Sequence, residues 1–347
     1  MSFKSWATII TFILLAVVIF FAWDKMVEAW GLLGNANLWI LLLLIPVQFF
    51  SYYAVGEIIF SYLRAKGNLE NTSRWQMARM ALELNFVNHI LPSGGAAGFS
   101  YMGWVLHRHG VSAGRATMAQ IVRFVLTFVS FVSILLLAVV ILTLDHKIDR
   151  VIITISVVMA FGILGGIAAI VYIVGNYKRV LVISGWLTRT INSIVRKLSR
   201  GKKHQVVKLE TIEKFFVELH EDFLEMRREK KILIQPLYWS IGVNVLDTLL
   251  LFIAFLSLGY AVNPATLFIA FGVSSVASLI SVTPGGAGVY EAIMIAFLSS
   301  SGVPADIAIA GTLLARVTLV VGTIVFGYVF YQLTISKYGK ISKTTDI

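Results

Sequence analysis

The fold is decided by the stretch Leu-Pro-Ser-Gly-Gly-Ala-Ala-Gly at residues 91–98, together with Thr-Pro-Gly-Gly-Ala-Gly-Val-Tyr-Glu at residues 283–291. Both stretches lie inside apolar sequence. A proline next to glycines breaks a helix and frees backbone N–H and C=O groups, which hydrocarbon cannot satisfy. Such breaks persist at membrane depth only where protein or a water-filled cavity surrounds them. Broken helices in matching places of two halves are typical of transporter binding sites.

The composition around these breaks is that of a polytopic membrane protein. The chain of 347 residues is 58% hydrophobic and 14% charged, whereas a soluble domain is about 45–50% apolar and about 25% charged. Cysteine is absent, which excludes disulfides and thiolate metal sites. The net charge of +11 is concentrated in residues 175–231, between apolar segments. It therefore indicates a cytoplasmic loop facing anionic lipid headgroups, not a nucleic-acid surface.

Hydrophobic segment length predicts the membrane spans. A span needs about 20 apolar residues, and the stretches that qualify are 6–23, 38–60, 116–144, 151–174, 232–259 and 307–334. The shorter runs 80–91 and 96–106 flank the first break, and each would reach only about 16–18 Å. They predict a re-entrant hairpin. The second pair is 265–282 with 287–300, and its first member is long enough to span, so both arrangements stay open there.

The distribution of lysine and arginine predicts on which side of the membrane each loop lies. The loop at 61–79, the segment 175–231 and the C-terminus are rich in these residues, which predicts that both termini are cytoplasmic. The first hairpin then enters from the cytoplasm and the second from outside. Each break is also followed by a Gly-Val pair, at 110–111 and at 302–303, and by a long apolar helix containing one arginine. These features predict an inverted repeat.

The predicted fold is an all-α integral membrane protein, a polytopic helical bundle with two broken-helix hairpins. A single transmembrane domain covers residues 1–347. Its first half is 1–174 with a hairpin at 80–106, and its second half is 232–336 with a hairpin at 265–300. The linker 175–231 contains an amphipathic helix within residues 203–231, because Leu209, Ile212, Phe216, Leu219 and Phe223 recur at helical spacing. We expect this helix to lie at the interface or docked on the bundle.

The motifs resemble a known family. The matching pieces are Asn-His-Ile-Leu-Pro-Ser-Gly-Gly at 88–95, the helix containing Arg123, and Pro-Gly-Gly-Ala-Gly at 284–288 with Glu291 and Arg316. At these positions the chain resembles the transmembrane region of lysylphosphatidylglycerol synthetases, including the flippase half of the multiple peptide resistance factor and its stand-alone relatives. The resemblance implies lipid translocation between leaflets. Synthetase activity belongs to a separate soluble domain, and we do not expect it here.

Two arginines are the leading candidates for binding. Arg123 and Arg316 are the only charges in their long apolar segments. Charges inside a membrane are costly and are usually functional or paired. A guanidinium also matches the geometry of a phosphate. The alternative is a structural ion pair, with Glu291 or Asp247 as the partner.

The two breaks are also candidate anion sites, because each begins a new helix. The first turn of a helix has unsatisfied N–H groups and the positive end of the helix dipole. The alternative is that the glycines only allow close helix packing. The residues involved are Ser93, Gly94, Gly95, Gly285, Gly286 and Gly288.

Four further polar residues lie near the breaks or within a span. Asn244 and Asp247 share a helix face, where they either line a path or hold helices together. His89 precedes the first break, where it either bonds freed carbonyls or relays protons. Glu291 follows the second break, where the helix dipole stabilises its carboxylate; it could instead bind a proton or a cationic headgroup.

The expected function is movement of an anionic, phosphate-bearing lipid, such as a phospholipid or a polyprenyl phosphate, between the leaflets of the inner (plasma) membrane. The alternatives are a small-anion or proton-coupled transporter and a membrane-embedded lipid-modifying enzyme. We find no catalytic, metal, cofactor or ATPase motif. We therefore expect no enzymatic activity. The headgroup, direction, driving force and homo-oligomeric state stay open.

Overall fold

The computed structural model describes residues 34, 36–90, 96–144, 150–198, 209–278 and 288–338. Within these ranges the chain forms twelve α-helices and a short 3₁₀ turn, and no strand. The helices are α1 (Leu38–Leu41), α2 (Leu44–Ala65), α3 (Arg74–Ile90), α4 (Ala96–Arg108), α5 (Ala113–Leu144), α6 (Arg150–Val174), α7 (Tyr177–Leu198), α8 (Leu209–Arg228), α9 (Ile234–Ser257), α10 (Pro264–Ser278), α11 (Val289–Ser300) and α12 (Ala305–Tyr338). The 3₁₀ turn, Lys230–Leu233, leads into α9.

The predicted all-α membrane fold is confirmed. In the described part of the chain, five helical segments are long and apolar enough to cross a membrane: 38–65, 113–144, 152–174, 230–257 and 305–337. They coincide with five of the six predicted spans. The sixth, 6–23, lies outside the described residues. The spans form because uninterrupted apolar sequence satisfies all of its backbone polar groups within a helix.

Both predicted hairpins appear as pairs of packed helices, α3 with α4 and α10 with α11. Helix α3 has 17 residues and begins at Arg74, earlier than the predicted arm at 80–91. The reason is a reciprocal cap, in which the Ser73 hydroxyl accepts from the Gln76 N–H and the Gln76 side chain accepts from the Ser73 N–H. The breaks themselves, at 91–95 and 279–287, lie outside the described residues. Re-entrance into the membrane therefore stays a prediction.

The Gly-Val pairs end α4 and α11 in the same way. Gly110 and Gly302 adopt φ values of +80° and +88°, which favour glycine. The next N–H groups reach back, Val111 to the Leu106 carbonyl and Val303 to the Leu298 carbonyl. Both valines are buried. This is the arrangement in which a left-handed residue ends a helix and an apolar residue seals the turn.

Two apolar cores lie at opposite ends of the bundle. The first core joins the C-terminal part of α2, the hairpin α3–α4, the N-terminal half of α5 and the end of α12, and it includes Leu219 and Phe223 of α8. The second core joins the C-terminal half of α5, the hairpin α10–α11 and the start of α12. Helices α5 and α12 therefore run in opposite directions, and the two hairpins occupy opposite ends of the bundle.

The packing of the two halves corresponds element by element. In the first half, α2 and α4 each pack on both α3 and α5. In the second half, α9 and α11 each pack on both α10 and α12 in the same way. Contacts between the halves correspond too, because α12 packs on α3 as α5 packs on α10, and α9 packs on α5 as α2 packs on α12. Helices α2 and α9 pack on each other at the centre. An inverted repeat would require this matching of helix contacts within and between the halves. The inverted repeat itself stays a prediction.

The linker folds into two helices docked on the bundle. Helix α8 buries Leu219 and Phe223 from the predicted apolar face, whereas Leu209 at its start is 43% exposed. Helix α7 packs along α8 and was not anticipated. Docking is fixed by Asp222 of α8, which accepts from Tyr62 at 2.6 Å and pairs with Arg115 at 3.1 Å. These contacts attach α8 to the end of α2 and the start of α5.

The next turn of α8 adds a second acidic contact. Glu225 pairs with Lys66 at 2.7 Å. The hydrogen bond from Lys66 lowers the pKa of Glu225. The Lys66 side chain is only 4% exposed, and it also lies 3.4 Å from Asp222. The basic end of α2 is therefore neutralised by the docked helix.

Candidate functional site

Arg123, in the N-terminal half of α5, is a buried cation without a counter-charge among the described residues. The residue is 7% exposed. Its Nε and Nη2 atoms have no hydrogen-bond partner in the described part of the chain. The guanidinium lies 4.3 Å from the centre of the Phe124 ring. Removing a charge from water without pairing it is expensive, so this geometry is that of a site prepared for an anion.

The first turn of α4 lies beside Arg123. Gln120, one turn earlier on α5, donates to the Phe99 carbonyl at 3.0 Å. The Phe99 and Phe124 rings stack with centroids 6.4 Å apart. Phe99 lies in the turn that directly follows the first break. The positive end of α4 and the guanidinium therefore lie close together, and both favour an anion.

Two further buried polar residues with an unsatisfied oxygen lie against the first turn of α4. The Oε1 atom of Gln120 and the Oδ1 atom of Asn88 are buried without a partner in the described ranges. Asn88, at the end of α3, packs so tightly on Gly98 that a Cβ there would lie 1.9 Å from its Oδ1 atom. Sequence reasoning did not select Asn88 or Gln120 as site residues. Asn88 lies in the motif quoted for the family resemblance, which was the signal available.

Arg316 on α12 has a different environment. Its Nε donates to Glu291 Oε1 at 2.9 Å, and its guanidinium lies 4.6 Å from the centre of the Tyr290 ring. The Glu291 side chain is 7% exposed. Its second oxygen accepts from the Gly288 N–H at 2.5 Å, where Gly288 has a φ of +91°. Of the two partners considered, the contact is with Glu291, and it ties α12 to the first turn of α11.

Asp247 belongs to a polar centre on the facing helices. It accepts from the Ser51 hydroxyl at 2.6 Å. The ring of Tyr52, the next residue on α2, lies 6.0 Å from the ring of His89, so α2, α3 and α9 all contribute to this centre. Tyr52 is also hydrogen-bonded to Thr323 of α12 and accepts from Gln48. Thr323 lies two turns after Arg316 on α12, which places Asp247, Ser51 and Tyr52 near the Arg316–Glu291 pair. Ser51 and Tyr52 were not predicted.

Two predicted residues bond within or between helices. Asn244 donates to the Thr127 carbonyl at 3.1 Å and to Ser130 Oγ at 2.7 Å, which joins α9 to α5. This is the helix-joining role considered for it. His89 Nδ1 lies 2.8 Å from the Asn85 carbonyl, one turn back in α3.

The remaining predicted residues belong to the breaks. Ser93, Gly94, Gly95, Gly285 and Gly286 lie outside the described residues, and Gly288 is the N-cap of α11. Within the described ranges, no group of three or more His, Asp or Glu side chains converges in a way that could hold a metal ion.

Comparison with known proteins adds a family match. The model of a family described as the lysylphosphatidylglycerol synthase TM region matches residues 7–327. A UPF0104 membrane protein of Methanocaldococcus jannaschii is 25% identical over 165 residues, 47% of this chain and 46% of the relative. A UPF0104 membrane protein of Methanothermobacter thermautotrophicus is 23% identical over 207 residues, 59% of this chain and 58% of the relative. The matched regions thus span about half to three-fifths of these curated relatives.

Proposed function

Since this chain belongs to the family of the lysylphosphatidylglycerol synthase transmembrane region, we propose that it moves a phosphate-bearing lipid between the leaflets of the cell membrane. The proposal assigns the lipid phosphate to Arg123 and to the first turn of α4. One observation carries it: Arg123 is a buried guanidinium with two nitrogen atoms that lack partners among the described residues. A lipid phosphate supplies the missing charge and accepts those hydrogen bonds.

The second arginine has a different role in this proposal. The Arg316–Glu291 pair holds the helix that follows the second break, while the polar centre around Asp247 lines the space between the halves. A phosphate contact at Arg316 stays a prediction. The chain performs no covalent chemistry in this scheme, and both termini and α8 lie on the cytoplasmic side. Broken helices at opposite ends of the bundle are the expected framework for alternating access.

Reconstituted protein tests the proposal. Transfer of a fluorescent phosphatidylglycerol between leaflets is measured in liposomes for the wild type, Arg123→Gln and Arg123→Lys. Each charge-assisted hydrogen bond contributes about 1.5–3 kcal/mol, so Arg123→Gln should slow transfer by roughly tenfold to a hundredfold. Lysine should restore little, because an ammonium cannot form the bidentate contact.

The matched control is Arg189→Gln, which removes an exposed arginine of α7 and should leave transfer unchanged. Transfer by Arg123→Gln at the wild-type rate would refute the phosphate role. Uptake of radiolabelled inorganic phosphate without lipid transfer would instead favour the small-anion transporter.

A further inference from the structure

An apolar cavity of about 830 Å³ lies between α5, α6 and α10. Ligand cavities commonly have volumes of about 300–1,000 Å³. Its one hydroxyl-bearing lining residue is Thr154, which donates to the Arg150 carbonyl at 2.9 Å. The cavity therefore offers a ligand almost no hydrogen bonds. We call it the α5–α6–α10 groove.

The groove is open on the side of α6, where two of its lining residues are glycines. Gly162 and Gly166 of α6 line it, and a Cβ added at either position would meet no atom within 4 Å. Val158, one turn earlier on the same helix, also lines the groove and is 65% exposed. Hydrocarbon is the solvent at this surface, since α5 and α6 are both long and apolar enough to span a membrane.

The inner wall of the groove is shared with the candidate phosphate site. Phe124 lines the groove, and its ring also contacts the Arg123 guanidinium and stacks on Phe99, just after the first break. Val276 and Ala277 line the groove from the last turn of α10, directly before the second break. The groove thus reaches the last turn of α10 and the Phe124 ring, which contacts both Phe99 and Arg123, a cation without a partner among the described residues.

We propose that the groove holds a hydrocarbon chain of the transported lipid and is its lateral access route. The phosphate end of this inference rests on the proposed function. A lipid joins an apolar chain to an anionic phosphate, and the two features of the protein are separated by a single aromatic ring. A chain in the groove would place the phosphate near Arg123 without exposing the headgroup to bulk hydrocarbon.

Three glycines of α6 provide a matched test. Gly162→Leu and Gly166→Leu fill the groove, whereas Gly165→Leu places the same side chain beside it, outside the lining. A Cβ at each of the three positions meets no atom within 4 Å, so all three variants should fold. Each protein is reconstituted in vesicles of phosphatidylcholine and phosphatidylglycerol that include a phosphatidylglycerol with a diazirine at the chain end. Cross-linked residues are mapped by mass spectrometry, and lipid transfer is measured on the same samples.

The wild type and Gly165→Leu should cross-link at residues of the groove. Gly162→Leu and Gly166→Leu should lose at least fivefold in cross-linking and in transfer. Arg123→Gln should keep the cross-links and lose transfer. Mapping of the unmodified protein keeps the test decisive if a filled variant is unstable.

Three results would overturn the groove assignment. They are cross-links spread evenly over the outer face of α6, a groove occupied by residues 6–23 of the chain itself, and normal transfer by both filled variants. The last would leave the phosphate proposal intact. Conversely, groove cross-links in a wild-type protein that moves no lipid would refute the proposed function and the access route, and would leave only the binding of a lipid chain in the groove.

Discussion

The two membrane arginines should respond to substitution in opposite ways. In Arg316→Gln, the Glu291 carboxylate loses its guanidinium partner at 2.9 Å while it stays 7% exposed. Removing one partner of a buried pair costs about 3–5 kcal/mol. Glu291→Gln should cost a similar amount, although glutamine can still accept from the Gly288 N–H. The double variant contains neither charge, so it should be more stable than either single variant, with a coupling energy of at least about 2 kcal/mol.

Arg123→Gln removes a cation that has no partner in the described part of the chain. It loses a cation–π contact with Phe124 worth about 0.5–2 kcal/mol. It also relieves the desolvation penalty of a buried ion, which is several kcal/mol. We therefore expect its stability to be unchanged or higher while lipid transfer falls. Loss of lipid transfer in a variant that keeps its stability would identify Arg123 as a ligand-binding residue.

The assay is thermal unfolding of the purified variants in one detergent, combined with denaturant titration and with transfer in liposomes. A wild-type melting temperature for Arg316→Gln, or additive losses in the double variant, would refute the structural role of the pair. Unfolding of Arg123→Gln would show that Arg123 is a structural residue, and the reasoning about its missing partner would be wrong.

Three further outcomes are expected. Asp222→Asn should destabilise the docked α8 by about 3 kcal/mol in denaturant titration, whereas Glu225→Gln, whose side chain is 55% exposed, should cost less than about 1 kcal/mol; equal losses would contradict the buried cluster. Gly311→Ala should destabilise by about 1–3 kcal/mol, because its Cβ would lie 2.4 Å from the Phe255 ring, while Gly242→Ala, with no atom within 4 Å, should not; equal melting temperatures would disprove the close packing. A single cysteine at Glu221 should resist an impermeant thiol reagent in intact cells and one at Asp306 should react, and the reverse pattern would invert the topology.

The membrane spans could be predicted from sequence because their signal is local. Apolar runs forced to satisfy their own backbone give helices, and the Gly-Val pairs at 110–111 and 302–303 ended α4 and α11 at the expected positions. The start of helix α3 was predicted too late, because counting apolar residues excludes Arg74, Gln76 and Arg79. Yet Gln76 caps the helix by its reciprocal hydrogen bonds with Ser73.

The candidate site was less predictable, because it depends on which helix face meets which neighbour. Glu291 lies just after the second break, on the helix that packs against α12. Glu291 and Asp247 were the two partners that the sequence suggested for an arginine, and Arg316 pairs with Glu291. Both arginines are the single charge in a long apolar segment, so the neighbouring sequence does not distinguish them. In the structure Arg316 has a partner, whereas Arg123 lacks one among the described residues. Helix α7 was missed because its buried face includes Ser184 and Thr188, which weaken the apolar pattern.

The composition of the two apolar cores constrains how the protein is made. The core beside α8 contains the α3–α4 hairpin from the first half, yet Tyr331 and Ile335 of α12 complete it. Phe86 on α3 packs against Tyr331, at the far end of the sequence. During synthesis part of the first hairpin therefore stays uncovered until α12 has been inserted. The chain must become stable late and as a whole, and separately expressed halves would depend on each other for a native core.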